Sequence, residues 1–275
     1  MRYDPIKKTL GNVFNAAPPL RILFYKLLDL LLLRAWHIHM ELRKWAQRNE
    51  NTVHILDAGS GFGQYTYFLS GMGKRHPDGW QGWNIKALDV KADQVCDCNE
   101  FFNSLGKKNV VFKIADLTKF REENAFDLIL SVDVMEHIEE DVLVFKNFFS
   151  SLKPGGMLLI STPSDKGGSD VHGEEDESFI EEHVRDGYNI DQIQEKLKSA
   201  GFSKVYARYS YGPPGQISWR LSMKYPILML GVSKIFFLIL PFYYLVIYPF
   251  SFVLNYIDTH AIHNTGTGLI VKAWK

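Results

Sequence analysis

The stretch Ile55-Leu56-Asp57-Ala58-Gly59-Ser60-Gly61-Phe62-Gly63 decides how this chain is read. Val53 to Asp57 is a short apolar run with the character of a buried strand, and a helix is expected from Gln64. Between them stand three glycines at alternate positions. Glycine permits positive φ and close backbone approach, so a ligand can rest directly on such a turn. A dinucleotide fingerprint wants glycine where Gln64 stands, and a phosphate loop wants a Gly-Lys-Ser/Thr phrase that is absent. Asp57, two residues before the first glycine, puts negative charge at the mouth of the turn. That charge repels a pyrophosphate and suits a ligand with an amino group and a positive centre.

Outward from the turn, strands alternate with helices. Strands are expected at 53–57, 84–90 (NIKALDV), 109–115 (NVVFKIA), 126–131 (FDLILS) and 157–161 (MLLIS), with helices at 64–72, 91–105 and 141–152. This spacing means a parallel sheet covered on both faces. Residues 164–178 (SDKGGSDVHGEEDES) are polar and acidic and read as a loop over the sheet's edge. An amphipathic helix over 190–200, stopped by Gly201, precedes a sixth strand at 202–211, and 267–275 reads as a seventh.

The motifs resemble the class I S-adenosylmethionine-dependent methyltransferases over roughly 51–212 plus the last strand. LDAGSGFG matches that family's first motif, LDV the acid ending strand two, ADL the acid after strand three, and FDLILSVDVMEHI and LKPGGMLLISTP the fourth and fifth motifs. The donor has both an amino group and a cationic sulfur. The resemblance implies an α/β fold: a seven-stranded Rossmann-like doubly wound sheet with an antiparallel last strand. It also implies a donor site. Backbone at Ala58, Gly59, Gly61 and Gly63, with Asp57 nearby, would hold the methionine moiety. Asp89 would take the ribose hydroxyls with Val90 beside it, and Asp116 the adenine amino group while Leu117 packs on the ring. Ser131 and Val132 would line the other side. Asp57 and Asp89 are 32 positions apart, against about 20 in related folds, and the surplus at 71–82 reads as a surface insertion.

Methyl transfer from a sulfonium is an in-line displacement, and a base is needed only where the acceptor's pKa requires one. Three clusters offer one. Asp133, Glu136 and His137 follow strand four; ubiquinone-type O-methyltransferases carry a similar cluster that can hold a divalent metal, but the expectation is a metal-free turn with His137 near the site. Glu181-Glu182-His183-Val184-Arg185 resembles an E-H-x-R phrase of small-molecule methyltransferases, with His183 as base or orienting group. His172 lies in the acidic loop and reads as solvated.

Two segments stand apart. Between Pro226 and Ile257 lie 32 residues with one charge, Lys234, and nine of the chain's 38 aromatics. They fall inside the connection between strands six and seven. A single crossing would strand the last strand beyond the bilayer, and two crossings need about 40 apolar residues. A shallow re-entrant hairpin or in-plane helix remains, bending at Pro241. Residues 20–48, which lack proline and glycine, read as one long helix beginning LRILFYKLLDLLLL, a second membrane contact. Residues 1–19 read as an irregular arm.

The expected organisation is therefore an N-terminal arm and helix (1–50), a core (51–225) with an acceptor-side loop at 164–189, an apolar insert (226–257) and a final strand (258–275). Composition frames it. The chain has 275 residues, 31 basic against 31 acidic, so no whole-chain field recruits nucleic acid. Cys96 and Cys98 make no disulfide framework, and no export signal is read at the start, so a cytoplasmic protein on the inner membrane face is expected. The expected activity is methyl transfer to a hydrophobic or lipid-linked acceptor, oxygen first, then carbon, then nitrogen. A soluble small-molecule methyltransferase and a non-catalytic cofactor-binding protein are the alternatives; an NAD enzyme is disfavoured by Gln64 and Asp57.

Overall fold

The computed structural model describes residues 17–47, 53–73, 83–167, 184–233 and 235–275. The strands are β1 (His54–Ala58), β2 (Asn84–Asp89), β3 (Val110–Ile114), β4 (Phe126–Val132), β5 (Leu152–Pro163), β6 (Lys204–Ser210) and β7 (Gly268–Trp274). They form one sheet in the order β3-β2-β1-β4-β5-β7-β6. The first five run parallel, and β7 lies antiparallel between β5 and β6. This is the seven-stranded doubly wound sheet expected from the motifs.

Burial explains the strand sequences. Ile55, Leu56, Leu128, Ile129, Leu130, Leu158, Leu159 and Ile160 are all inaccessible to solvent, because helices cover both faces. Leu56, Ile129 and Leu158 pack on one side with Phe145, Phe148, Tyr188 and Leu197. Ile55, Leu128 and Leu159 pack on the other with Tyr25, Ile38, Leu42, Trp83 and Phe102. The covering helices are α1 (Pro18–Leu31), α2 (Leu33–Ala46), α3 (Gln64–Ser70), α4 (Ala92–Ser104), α5 (Asp141–Ser151) and α6 (Ile190–Ser199). The Asn189 side chain caps α6 by accepting from the Asp191 and Gln192 amides.

The single helix expected over 20–48 is instead two. Leu32 is extended (φ −86°, ψ 110°) and separates α1 from α2. At the break the Arg34 amide donates to the distant Tyr211 hydroxyl at 3.0 Å, and locally Trp36 Nε1 donates back to the Leu30 carbonyl at 3.0 Å. The break lets α1 and α2 pack on different neighbours. The helix also begins earlier than the expected arm allows, because Pro18 and Pro19 sit in its first turn, where their missing N–H groups are not needed.

Between β6 and β7 the chain forms a helical hairpin. One arm is α7 (Pro213–Trp219), a π turn (Arg220–Lys224) and α8 (Tyr225–Val232); the other is α9 (Phe236–His260). The apolar insert thus belongs to a larger element than 226–257. The reversal falls at Ser233, whose backbone is extended (φ −159°, ψ 138°), and not at Pro241, which lies inside α9. Just past Pro241, the Tyr243 and Tyr244 hydroxyls donate to the Leu221 and Ser222 carbonyls, both at 2.7 Å, and hold α9 against the first arm. At the base, Ser218 Oγ donates to Asn255 Oδ1 at 2.6 Å.

A buried charge network roots the hairpin. Asp258, near the end of α9, accepts from the Gly215 amide (2.9 Å) and the Tyr211 amide (3.2 Å) and faces His37 Nε2 at 2.9 Å. Arg208, which can only donate, reaches His37 Nδ1 at 3.1 Å, so Nε2 carries the proton toward Asp258. Burial pushes His37 below its ordinary value, consistent with that neutral ring. Burial opposes the Asp258 charge, but His37, His263 and the Gly215 amide hold its carboxyl below the usual range. Glu41 on α2 completes the network with Arg208 at 3.3 Å and Lys272 at 2.7 Å.

Candidate functional site

The glycine turn adopts the backbone that its sequence permits. Gly59, Gly61 and Gly63 have φ of 85°, 52° and 85°. The Gly59 and Ser60 amides donate to the Leu88 carbonyl at 2.9 and 2.8 Å, which ties the turn to the end of β2. A Cβ at Gly59 would stand 2.2 Å from Val134 Cγ2, so the turn lies directly against the residues that follow β4. A Cβ at Gly61 would meet nothing within 4 Å. The turn is therefore packed at its first glycine and open at its second, and that opening is a cradle.

Polar groups surround the cradle. Asp89 Oδ2 accepts from the Gly61 amide at 2.8 Å, and Oδ1 accepts from the Lys91 amide at 2.9 Å. Val90, next to it, is 64% exposed. Among the described residues, the buried hydroxyls of Ser60 and Ser131 have no hydrogen-bond partner. Buried polar atoms are nearly always satisfied, so two orphans beside an open turn indicate room for a ligand's polar groups.

Asp57 is placed differently from a charge at the mouth. It is 2% exposed, lies beneath the turn, and accepts from Thr66 Oγ1 at 2.5 Å. Burial pushes its carboxyl up to about 6, with neighbouring Asp89 adding to the shift. The folded value lies above the ordinary one, so the stability Asp57 contributes is full at low pH and is lost as pH rises through about 6. At the far end, Asp116 is half exposed and accepts from the Thr118 amide (2.9 Å) and hydroxyl (2.7 Å), which hold its carboxyl low. Leu117 is core, 6% exposed among Phe126 and Phe145, whereas Phe62 in the turn and Val90 after Asp89 are exposed. Val132 is partly buried at the end of β4.

Beyond β4, Asp133 has positive φ (51°) and pairs with the guanidinium of Arg34, from the first turn of α2. Tyr65 and Tyr211 flank that arginine, and burial raises both phenols. Among the described residues the buried Arg34 Nε has no hydrogen-bond partner, and the buried Tyr65 hydroxyl lies beside the Arg34 guanidinium. Glu136 is buried and accepts from Thr162 Oγ1 at 3.0 Å, whereas His137 is exposed in the short turn Met135–His137. Asp133, Glu136 and His137 thus serve three different surroundings. Among the described residues, no three His, Cys, Asp or Glu side chains gather as a metal cluster.

Arg185, from the E-H-x-R phrase, buttresses that turn. It donates to the Ile138 carbonyl at 2.8 Å and pairs with Asp141, while the Val184 amide donates to the Glu136 carbonyl at 3.0 Å. His183 and His172 lie outside the described residues, as do 74–82 of the surplus segment.

Several site residues escaped the motifs. Arg21 donates to the Phe62 carbonyl at 2.8 Å, Tyr25 donates to the same oxygen, and Gln64 Nε2 donates to Asp29 at 2.7 Å. Arg21, Tyr25 and Asp29 recur every four residues in a run whose other residues, Lys26 apart, are apolar, which is the signal that marks them as a face. Arg34, Tyr65 and Tyr211 carry no such mark.

The comparisons bear on the domain as a whole. A family model described as a methyltransferase domain matches residues 49–202. Phosphoethanolamine N-methyltransferase 1 of Zea mays is 32% identical over 155 residues, covering 56% of this chain and 28% of that protein. Malonyl-[acyl-carrier protein] O-methyltransferase 2 of Ilyobacter polytropus is 29% identical over 126 residues, 46% of this chain and 45% of that protein. The chain thus spans well under two thirds of these relatives. Among solved structures, Haemonchus contortus phosphoethanolamine N-methyltransferase 2, in complex with phosphomonomethylethanolamine and S-adenosylhomocysteine, shares the fold. It has a TM-score of 0.58 and 19% identity, covering 87% of this chain and 52% of that one.

Proposed function

The chain belongs to the methyltransferase-domain family, the class I S-adenosylmethionine-dependent methyltransferases, and from that premise we propose that it methylates an acceptor drawn from a membrane. The observation that carries this reading is topological. The hairpin leaves after Ser210 and returns at Gly268, which face each other in the β6–β7 ladder, and Gly268 also pairs with Pro163 at the end of β5. An element rooted there stands at the edge of the sheet that holds the cradle.

The hairpin suits one leaflet. In α9 the mean hydropathy reaches 2.0 over a window that is only 6% buried, and Leu238, Phe242 and Leu245 are 73, 71 and 75% exposed. Its root is polar and buried at Ser218, Ser222, Ser251, Asn255 and Asp258. The α8 arm, at about 1.5 Å per residue, projects roughly 12 Å, which fits half of a hydrocarbon core about 30 Å thick. A full crossing by α9 would separate β7 from its sheet.

The residues around the cradle fit the donor. The backbone at Ala58, Gly59, Gly61 and Gly63 would take the methionine moiety, Asp57 would supply negative charge beneath its ammonium, Asp89 would take the ribose hydroxyls, Val90 the adenine face and Asp116 its amino group. The orphaned Ser60 and Ser131 hydroxyls and the space above Gly61 favour that occupant. When bound, the sulfonium supplies an activated methyl carbon. The chain's part is to align the acceptor and exclude water. Arg34, Tyr65 and Tyr211 would orient the acceptor past β4, and His137 would take the proton of an oxygen nucleophile. His137→Gln is expected to lower kcat by about 10²–10⁴ without changing donor affinity.

Donor binding is expected to depend on pH through Asp57, whose carboxyl must ionise to offset an ammonium above the turn. Affinity then weakens as pH falls below about 6, approaching tenfold per unit. Asp57→Asn removes that dependence, which calorimetry from pH 5 to 8 reads directly.

The test of the acceptor is incubation of the protein and methyl-labelled donor with a membrane lipid extract. Label in the organic phase supports the reading. A second reading, an acidic water-soluble acceptor of the kind named for the maize relative, draws on the buried Arg34 Nε. Label confined to the aqueous phase would replace the first reading with it.

A further inference from the structure

α1 carries two unlike faces. At 100° per residue, Arg21, Tyr25 and Asp29 fall on one side of the helix, and Leu20, Leu23, Leu27 and Leu30 on the opposite side. The inner face grips the donor turn. Arg21 donates to the Phe62 carbonyl at 2.8 Å, to the Asp97 carbonyl at 3.3 Å and to Cys98 Sγ at 3.0 Å; Tyr25 donates to the Phe62 carbonyl; Asp29 accepts from Gln64. The outer leucines are each 38 to 48% exposed.

That leucine stripe runs into the hairpin. The Tyr248 hydroxyl of α9 donates to the Leu30 carbonyl at 3.2 Å, and Trp36 meets Phe252 edge-on at 4.9 Å. Lys26, exposed on the same helix, adds a positive charge at the border of the stripe, as an anionic headgroup layer requires. The stripe and the hairpin therefore form one apolar surface with one occupant.

Resting on the membrane reading given above, we propose that α1 couples that surface to the donor turn, so that an anionic lipid bilayer tightens donor binding. A helix of 14 residues is marginal by itself, and the extended Leu32 uncouples it from α2. Lipid on the outer leucines and donor on the turn both favour α1 docked. Two ligands that favour the same state of one element bind cooperatively, and each raises the other's affinity by the same factor.

The experiment titrates S-adenosylhomocysteine into the full chain with and without vesicles of phosphatidylglycerol and phosphatidylcholine. Donor-site affinity is expected to rise at least about 5-fold with vesicles, and vesicle affinity to rise by the same factor when the nucleoside is saturating. The double variant Leu23→Gln, Leu27→Gln should keep the solution affinity of the wild type and still bind vesicles through the hairpin, yet lose the increase. Vesicle binding with unchanged nucleoside affinity overturns the coupling and leaves the membrane reading standing. Failure to bind vesicles overturns both. Full coupling in the double variant removes α1 from the mechanism.

Discussion

Gly61→Leu is expected to cut donor affinity by about 100-fold or more, equivalent to roughly 3 kcal/mol, while the protein stays folded. The expectation separates two glycines that look alike in the sequence. At Gly59 a Cβ would lie 2.2 Å from Val134, so any side chain there disturbs the core as well as the turn. At Gly61 nothing stands within 4 Å. A side chain at that position fills only the cradle, and its φ of 52° costs about 1 kcal/mol, because L residues occupy the left-handed region at that price. The measurement is calorimetric titration with S-adenosylhomocysteine beside a thermal melt. Undiminished binding by a folded Gly61→Leu protein would place the donor elsewhere.

Asp258→Ala is expected to cost about 3–5 kcal/mol, the usual consequence of removing one partner from a buried charge network. The carboxylate serves the Gly215 and Tyr211 amides and His37 together, and the variant leaves all three without their acceptor. For a chain of this size the midpoint of thermal unfolding should fall by roughly 10 °C. Because Asp258 roots the hairpin, limited proteolysis should also begin to cut between Tyr211 and Pro213. Asp258→Asn keeps an oxygen acceptor and should lose about half as much. An unchanged midpoint for Asp258→Ala would show that the hairpin is held by its apolar contacts alone.

The sheet and the glycine turn were legible because their causes are local. Strands buried on both faces read as unbroken apolar runs, and the glycines stand where positive φ is required. The break at Leu32 was not legible. No glycine or proline marks it, and the hydrogen bond made there, between the Arg34 amide and Tyr211, is one that no local pattern announces. The reversal at Ser233 was displaced toward Pro241 for the same reason, since tyrosines fastened to the opposite arm hold the helix through its proline. Asp57 was expected as a charge at the mouth of the turn and lies buried beneath it. Its partner, Thr66, lies nine residues on, in the first turn of α3. Leu117, expected to pack on a ligand's ring, is instead turned inward at 6% exposed, while Val90 is 64% exposed.

The pairing of Ser210 with Gly268 has an engineering consequence. Two residues that already sit opposite each other in an antiparallel ladder can be joined by a short turn, so the whole hairpin is topologically a cassette spliced into one β-ribbon. Its length and chemistry can be exchanged without shifting any register in the sheet. What such an exchange must supply is a cover for Trp36 and a substitute anion for His37 and Arg208, which the excised cassette would otherwise leave behind.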